Sequence, residues 1–331
     1  MLAIARAVHS SAMRVLEGLS GLRSIDRDCV LSIGNFDGVH RGHVALIGFA
    51  RAVAPGSRLC IATFEPHPLT VLRPELAPPR LTPPDMKHAL LEAMGVDDLV
   101  VLAPEPEILN LSAEQFWTIL RDEVRPRHII EGNSFTFGKD RGGTIERLQQ
   151  WSTDSDISVH VVPPLEATLC DMAVVPVSSS IVRWLIEQGR ARDAAICLGR
   201  PYALRGEVVK GHQRGRTIGV PTANLDIQEQ LAPADGVYAC RCTLAGQTYP
   251  AAVSVGTMPT FAGKNRRQIE AHLIGFDGDL YGLTIDVDLL DWVRDQRKFN
   301  GIEALKAGIT RDLIAVRERQ RPDPAGAPVF S

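Results

Sequence analysis

Two histidines three residues apart, His40 and His43, stand in the segment GNFDGVHRGH, which joins the apolar run CVLSIG to the helical pattern HVALIGFARAVA. A turn from a strand into a helix is a common phosphate site in parallel sheets, because backbone N–H groups and the helix dipole both favour an anion there. Gly34, Gly38 and Gly42 let the backbone approach such a ligand closely. The residues therefore indicate a phosphate-binding turn with two imidazole donors.

The segment HRGH fits the HxGH signature of nucleotidylyltransferases. In that chemistry a phosphate attacks the α-phosphorus of ATP and pyrophosphate leaves. The enzyme needs no side-chain nucleophile for this reaction; it supplies alignment, donors and positive charge around the reacting phosphorus. The sequence contains neither GxxxxGK[ST] nor GxGxxG, so it carries neither a Walker loop nor a dinucleotide fingerprint.

Strand and helix patterns alternate along the first half of the chain around this turn, which predicts a parallel sheet with crossover helices. Near residue 199 the pattern changes to short strands separated by glycine- and proline-rich turns, which predicts a small antiparallel β-barrel. An amphipathic helix, GIEALKAGITRDLIAVRERQ, follows the barrel. We therefore expect an α/β protein. A Rossmann-like nucleotidylyltransferase domain would span residues 1–195, and a barrel domain with a terminal helix residues 196–331.

Local patterns predict a helical stretch and two hairpins. The segment VSSSIVRWLIEQGRARDAAICLG predicts the helical stretch, and GVYACRCTLAGQTYPAAVSVG predicts a β-hairpin about AGQ. The Asp-Gly turn of FDGDLYG, residues 276–282, predicts a second hairpin. In the first hairpin, strand alternation places Cys240 and Cys242 on one face, where we expect small buried side chains.

The composition argues against several classes of function. The chain has 331 residues, enough for two domains, and its net charge of −3 lacks the basic excess of a nucleic-acid-binding protein. Its apolar runs are shorter than the ~20 residues that span a bilayer, and the N-terminus lacks the apolar core of a secretory signal. The six cysteines form no CxxC pair. We expect a cytoplasmic protein with small-molecule partners and no nucleic-acid or membrane partner.

A second group of polar residues begins in the segment GHQRGRTIGVPTAN, where a glycine-rich turn leads into Pro-Thr-Ala-Asn. Glycines allow such a flap to close over phosphates. Thr222 offers a hydroxyl and Asn224 an amide oxygen, and both are hard oxygen ligands suited to Mg²⁺. In the segment RQIEAHLIGF, strand alternation places Glu270 and His272 on the face opposite the apolar residues.

These motifs, taken in order, closely resemble the bacterial bifunctional riboflavin kinase/FMN adenylyltransferase family from about residue 30 to residue 315. The resemblance is carried by GNFDGVHRGH, TFEPHP, RLT…K (80–87), GVDDLVVL, PRHIIEGNSFTFG, VSSSIVRWLIEQG, LGRPY, GRTIGVPTANL, SVGTMPTF, IEAHLIGFDGDLYG and KFNGIEALK. It implies that the N-terminal domain transfers AMP from ATP to FMN, giving FAD and pyrophosphate. It also implies that the C-terminal domain phosphorylates riboflavin to FMN, and that both steps use ATP and Mg²⁺.

The resemblance further implies roles for residues of this sequence. In the adenylyltransferase, the residues implied to bind the nucleotide or act on its phosphate are Gly34, Asn35, Phe36, Asp37, His40, His43, Ser179, Ser180 and Arg183. Those implied to bind the flavin are Phe64, Pro66, His67, Pro68 and Ser134. In the kinase, Thr222 and Asn224 are implied as Mg²⁺ ligands, Glu270 as the catalytic base, and Arg216 as a cation that closes over the ATP phosphates.

Three positions depart from the family pattern. Ser134 stands where the family carries Asp or Asn, with Asn133 one position earlier, while Ser180 replaces a threonine and Ile181 a basic residue. Two alternatives therefore stay open beside the bifunctional enzyme. One is a riboflavin kinase with an impaired or retuned adenylyltransferase domain, and the other is a flavin-binding regulator without turnover. The sequence leaves the oligomeric state open.

Overall fold

A computed structural model describes residues 12–211, 220–258 and 266–320. These residues fall into two compact units. The first comprises the described residues up to 78 together with 84–165, and the second comprises 79–83 and the described residues from 166 onward. The functional boundary expected at residue 195 stays a prediction. The division into compact units does not say which of the two reactions residues 166–195 serve.

Strands and helices alternate along the first unit. Its strands are β1 (Arg14–Glu17), β2 (Val30–Gly34), β3 (Leu59–Phe64), β4 (Asp98–Leu102), β5 (His128–Gly132), β6 (Thr136–Phe137), β7 (Gly143–Thr144) and β8 (Ser158–Val162). Its helices are α1 (Gly18–Arg23), α2 (Arg41–Val53), α3 (Leu69–Leu72), α4 (Pro84–Ala93), α5 (Pro106–Leu109), α6 (Ala113–Thr118) and α7 (Ile145–Ser152). Short 3₁₀ turns lie at Pro74–Leu76 and Lys139–Arg141, and α6 continues as a π-helical stretch over Ile119–Val124.

The first unit is built on a parallel sheet in the order β1, β4, β3, β2, β5, β8. The chain runs outward from β2 through β3 to β4, then crosses to the other side of β2 to add β5 and β8. Buried apolar residues cover both faces, with Leu31 and Ile33 in one cluster and Val30 and Ile61 in the other. The predicted parallel α/β domain is confirmed. The sequence patterns missed β1, because this edge strand is largely exposed and lacks a continuous apolar run.

The second unit contains the remaining elements. Its strands are β9 (Glu166–Thr168), β10 (Val174–Pro176), β11 (Tyr202–Val209), β12 (Ala223–Asp226), β13 (Gly236–Leu244), β14 (Gln247–Met258), β15 (Arg266–Leu273) and β16 (Thr284–Arg294). Its helices are α8 (Ser179–Glu187), α9 (Ala191–Leu198) and α10 (Ile302–Glu318).

Six of these strands form a closed antiparallel barrel within the described residues, in the order β11, β12, β15, β14, β13, β16. Strand alternation fills its interior, since Ile269, Ala271 and Leu273 of β15 are all buried. The terminal helix α10 contacts the barrel, and its Asp312 forms an ion pair with Arg294 of β16 at 2.7 Å. The predicted small barrel with a terminal helix is confirmed.

One predicted hairpin is confirmed and the other is wrong. β13 and β14 are joined by a two-residue turn in which Ala245 and Gly246 have φ of 48° and 81°, and Cys240 and Cys242 of β13 are buried. The loop at 276–282 closes no hairpin, because β15 pairs with β12 and β14 whereas β16 pairs with β11 and β13. An Asp-Gly turn bends the chain but does not decide which strand the chain joins next.

The predicted helical stretch over 177–199 is confirmed, and Gly189 divides it into α8 and α9. Gly189 has a φ of 72°, which ends α8, and it lies against the indole ring of Trp292. No described helix combines the length and the apolar character needed to cross a membrane.

We predict that Gly189→Ala lowers the free energy of unfolding by about 2–4 kcal/mol. Alanine is strained in the left-handed backbone conformation of this position, and its Cβ would also overlap the Trp292 ring. Both effects lower the free energy of unfolding. Gly246→Ala is the matched control, because Gly246 has a φ of 81° with open space around it, and it should cost about 1 kcal/mol. Urea unfolding of both variants measures the difference, and equal losses would contradict the overlap.

Candidate active sites

The carboxyl edge of the parallel sheet has a switch point between β2 and β5, because the strand order reverses there. Ligands of open α/β sheets bind outside the carboxyl ends of the strands that flank such a point. Residues 35–40 follow β2, and the turn that follows β5 contains Asn133 and Ser134. The fold therefore brings the predicted nucleotide turn and the predicted flavin position Ser134 to one edge.

β2 and β5 part before they reach that edge. Their ladder ends at the pair Leu31–Ile129, whereas β5 keeps pairing with β8 up to its last residue. Beyond the parting, the backbone N–H of Ile33 donates to Oε1 of Glu131 at 2.6 Å. The buried side chain of Glu131 thus takes the place of a ladder bond and holds the two strands around the opening.

The turn between β2 and α2 is tightly wound. Phe36, Gly38 and Val39 have φ of 46°, 82° and 39°. The side chains of Phe36 and Val39 are buried in the core, so they anchor the turn from beneath. The nucleotide role implied for Phe36 stays a prediction, and its buried side chain leaves only the backbone for such a contact.

His40 and His43 are brought together at the N-terminus of α2. The backbone N–H of His40 donates to Nδ1 of His43 at 3.2 Å, and the two rings stack with centroids 3.7 Å apart. Because Nδ1 of His43 accepts, the neutral ring carries its proton on Nε2 and can donate from there. The positive end of the helix dipole reinforces this donor character.

Gly34 ends β2, and Asn35 and Asp37 lie in the turn that follows. The hydroxyl of Thr63 donates to the carbonyl of Asn35 at 2.9 Å, which ties the turn to β3. Oδ1 of Asn35 is buried and accepts no hydrogen bond from the described residues. A buried acceptor of this kind needs a donor. Its position in the turn fits a donor group of a bound nucleotide.

The predicted flavin segment follows β3, the neighbour of β2, and so lies at the same edge of the sheet. Phe64 ends β3 and packs partly against the core. The backbone N–H of Leu69 donates to Nδ1 of His67 at 3.1 Å, and Pro68 immediately precedes α3. Pro66 is exposed, whereas Phe64, His67 and Pro68 are half-buried.

Asn133 and Ser134 are exposed at the centre of the turn after β5. The backbone N–H of Phe135 closes this turn by donating to the carbonyl of Gly132 at 3.1 Å. An amide side chain therefore stands one residue from the position where the family carries Asp or Asn.

Ser179, Ser180 and Arg183 belong to α8. The hydroxyl of Ser178 caps this helix by accepting from a backbone N–H of the first turn at 3.3 Å. Nε of Arg183 donates to the carbonyl of Pro79 at 2.8 Å. The nucleotide role implied for the two serines and the arginine stays a prediction.

The barrel places Asn224 of β12 and Glu270 of β15 directly opposite each other in the antiparallel ladder. Nε2 of Gln268 donates to Oδ1 of Asn224 and to Oε1 of Glu270, each at 2.8 Å. Gln268 thus fixes an amide oxygen and a carboxylate side by side. Sequence reasoning missed Gln268, although its place two residues before Glu270 puts it on the same face of the strand.

A cavity of about 220 Å³ is lined by residues adjacent to this pair in β12 and β15, and not by Asn224 or Glu270 themselves. Thr222 lines one side, and the loop at 276–281 lines the other. The ladder pair Ala223–Ala271 also borders the cavity, which places Asn224 one residue away. The loop that does not form a hairpin therefore helps to enclose a ligand-sized space.

The oxygen donors near the cavity suit Mg²⁺. The hydroxyl of Thr222 and the amide oxygen of Asn224 are hard ligands, and the carboxylate of Glu270 faces Asn224 across the ladder. The described residues hold no group of three or more His, Cys, Asp or Glu that could bind a metal. Mg²⁺ in nucleotide sites commonly completes its coordination with phosphates and water. The predicted residue Arg216 lies outside the described residues.

The sheet with an HxGH turn at its switch point and the barrel with its acid–amide pair define a nucleotide-dependent transferase with two sites. Models of two families match the chain: riboflavin kinase over residues 198–319 and FAD synthetase over residues 22–174. The bifunctional riboflavin kinase/FMN adenylyltransferase of Pseudomonas fluorescens is 36% identical over 313 residues, which covers 94% of this chain and 99% of that protein. The chain belongs to the bifunctional riboflavin kinase/FMN adenylyltransferase family, as its motifs predicted.

Further relatives match over most of their length. The protein of the same description from Bacillus subtilis is 35% identical over 289 residues, covering 86% of this chain and 90% of that one. A crystal structure from Streptococcus pneumoniae, described as a macrolide-efflux protein, has a TM-score of 0.82 and 31% identity, covering 93% of this chain and 99% of that one. The description of efflux belongs to that protein.

We predict that Glu131→Gln makes stability less dependent on pH. Burial raises the pKa of Glu131 well above its ordinary value of 4.5, so the folded protein keeps a proton that the unfolded chain releases. The free energy of unfolding therefore falls as the pH rises above the ordinary pKa of a glutamate, by up to about 1.4 kcal/mol per pH unit. The fall continues until the pH passes the pKa that Glu131 has in the folded protein. Glutamine can still accept from Ile33 and has no proton to lose.

The measurement is urea unfolding of wild type and Glu131→Gln between pH 5 and pH 8. We expect the variant to gain stability over wild type steadily as pH rises. Glu123→Gln is the control, because the Glu123 side chain is 44% exposed beside Arg23. A difference between wild type and Glu131→Gln that stays constant over this range would contradict a neutral buried carboxyl.

Proposed function

We propose that this chain makes FAD from riboflavin in two ATP-dependent steps. The proposal rests on one observation: the chain holds two chemically different sites. The stacked histidines at a helix N-terminus suit attack by a phosphate, which needs donors but no base. The Asn224–Glu270 pair held by Gln268 suits attack by a hydroxyl, which needs a base.

In the kinase step the 5′-hydroxyl of riboflavin attacks the γ-phosphorus of ATP, and ADP leaves. Glu270 accepts the hydroxyl proton, while Gln268 orients the carboxylate through its bond to Oε1. Thr222 and Asn224 would hold Mg²⁺, which when bound neutralises the charge of the nucleotide phosphates. In this proposal the nucleotide occupies the cavity between Thr222 and the loop at 276–281.

In the adenylyl-transfer step a phosphate oxygen of FMN attacks the α-phosphorus of ATP, and pyrophosphate leaves. The attacking phosphate has no hydroxyl proton to lose, so donors take the place of a base. His40, His43 and the N-terminal N–H groups of α2 stabilise the charge on the reacting phosphate. The segment from Phe64 to Pro68 would seat the flavin ring. The FMN made by the kinase is the substrate of this step.

We also propose that the protein works in the cytoplasm. All six cysteines are free thiols, and five of them are buried among the core residues of their units. Free buried thiols are common in proteins of reducing compartments. The substrates are metabolites of that compartment in this proposal.

A crossed pair of variants tests the two sites. We predict that Glu270→Gln lowers FMN formation from riboflavin by about 10²–10⁴-fold, because the base is lost, and leaves FAD formation from supplied FMN unchanged. His43→Ala should do the reverse, lowering FAD formation by about 10²–10³-fold. Chromatographic separation of riboflavin, FMN and FAD over time, with ATP and Mg²⁺, measures both rates.

Glu229→Gln is the matched control for Glu270→Gln, since the Glu229 side chain is 82% exposed. It should leave both rates unchanged. A wild-type protein that forms neither product would sink the proposed function. Loss of both activities in either variant would contradict the assignment of one reaction to each site.

A riboflavin kinase with an impaired adenylyltransferase is the second candidate, and the observation that favours it is Ser134. A hydroxyl at this turn position replaces the acid or amide of the family, although Asn133 stands beside it. If the domain is impaired, Ser134→Asn should raise kcat/KM for FAD formation at least tenfold over wild type and leave FMN formation unchanged. If wild type already converts FMN fully and the variant matches it, the hypothesis of an impaired adenylyltransferase domain is excluded.

A further inference from the structure

We infer that Lys87 is a positioning residue for adenylyl transfer: it holds the nucleotide turn and the flavin segment in one fixed arrangement. The inference rests on the proposed function of the first unit. Lys87 lies on α4, in the segment RLT…K of the family resemblance, to which sequence reasoning assigned no role.

Lys87 is an ammonium group buried beneath the carboxyl edge of the sheet. Its side chain is only 3% exposed, and its Nζ donates to Oε2 of Glu65 at 2.8 Å. A second, longer hydrogen bond runs from Nζ to Oγ1 of Thr63 at 3.4 Å. A charge this buried persists only where partners compensate its lost hydration.

The two hydrogen bonds of this ammonium group connect it to two different segments, and each connection is called a branch below. Glu65 lies inside the predicted flavin segment, between Phe64 and Pro66. Thr63 carries the second branch, because its hydroxyl donates onward to the carbonyl of Asn35 at 2.9 Å. The flavin segment and the turn after β2 are thereby tied to the same side chain.

The placement of these groups favours a positioning role over a merely stabilising one. Replacing a buried ion pair by apolar residues of similar size is often neutral for stability, so stability alone explains a buried Lys87–Glu65 pair poorly. Transfer of AMP from ATP to FMN, in contrast, requires the two substrates to meet in line, and a displacement of about 1 Å can cost about 10²-fold in rate. A shared anchor between the two turns sets that distance.

Lys87→Met removes the anchor while keeping the length of the side chain. We expect kcat/KM for FAD formation to fall about 10²-fold, with riboflavin phosphorylation by the same chain unchanged. The kinase rate therefore serves as an internal control for folding and concentration. The melting temperature of the variant should also fall, because Glu65 loses the buried ammonium group of Lys87.

The double variant Lys87→Met/Glu65→Gln separates positioning from charge pairing. It removes both charges, so we expect the melting temperature to return toward wild type while kcat/KM for FAD formation stays low. Thr63→Val cuts only the branch to Asn35 and should raise KM for ATP more than KM for FMN. Glu65→Gln alone should raise KM for FMN more than KM for ATP.

Arg51→Met is the matched control, because Arg51 forms an ion pair of 2.9 Å with Asp97 at the opposite edge of the sheet. It should change neither rate. Full FAD formation by Lys87→Met, or its full recovery in the double variant, would overturn the positioning role. If wild type itself forms no FAD from FMN, the proposed function fails instead, so the two failures are distinguishable.

Discussion

The predicted site of the first unit is organised around the point where β2 and β5 stop pairing. Two neighbouring parallel strands would normally satisfy each other's backbone groups up to their ends. Here the ladder stops at Leu31 and Ile129, and a buried carboxyl from Glu131 satisfies the N–H of Ile33 instead. The exchange opens the sheet where the strand order reverses, and α2 begins at that opening. The N-terminus of α2 with its histidines follows β2 at this edge, where open α/β sheets bind their ligands.

Buried ionisable groups do different work at the two edges of this sheet. At the amino edge, burial acts to raise the pKa of Asp98, but hydrogen bonds from Arg14 and Arg58 outweigh it and lower the pKa. This cluster ties three strands or their flanking loops together, at an edge where no ligand is expected. At the carboxyl edge, Glu131 and Lys87 lie directly beneath turns that are predicted to meet substrates. The buried polar groups at this edge hold the conformation of the turns above them.

In the barrel, strand alternation places the polar groups of the second site. Interior positions of β15 are filled by apolar side chains, so the alternate positions are left to carry polar groups on the outside. Asn224 and Glu270 meet because β12 and β15 are antiparallel neighbours in this register, although 45 residues separate them along the chain. A shift of one residue in the register of either strand would turn that strand's polar side chain toward the core.

Strand–helix alternation and the HxGH and Pro-Thr-Ala-Asn motifs are local patterns, so the amino-acid sequence was enough to predict the family, the two fold classes and most of the candidate residues. Alternation along β15 also distinguished its solvent-facing side from its apolar side. The residues that support these motifs became visible only in the three-dimensional contacts. Glu131, Lys87 and Gln268 contact partners that are distant in sequence or lie on another strand. The hairpin predicted at 276–282 is wrong because an Asp-Gly turn carries no information about strand order. Such roles depend on contacts that form when the sheet and the barrel close, which no local pattern encodes.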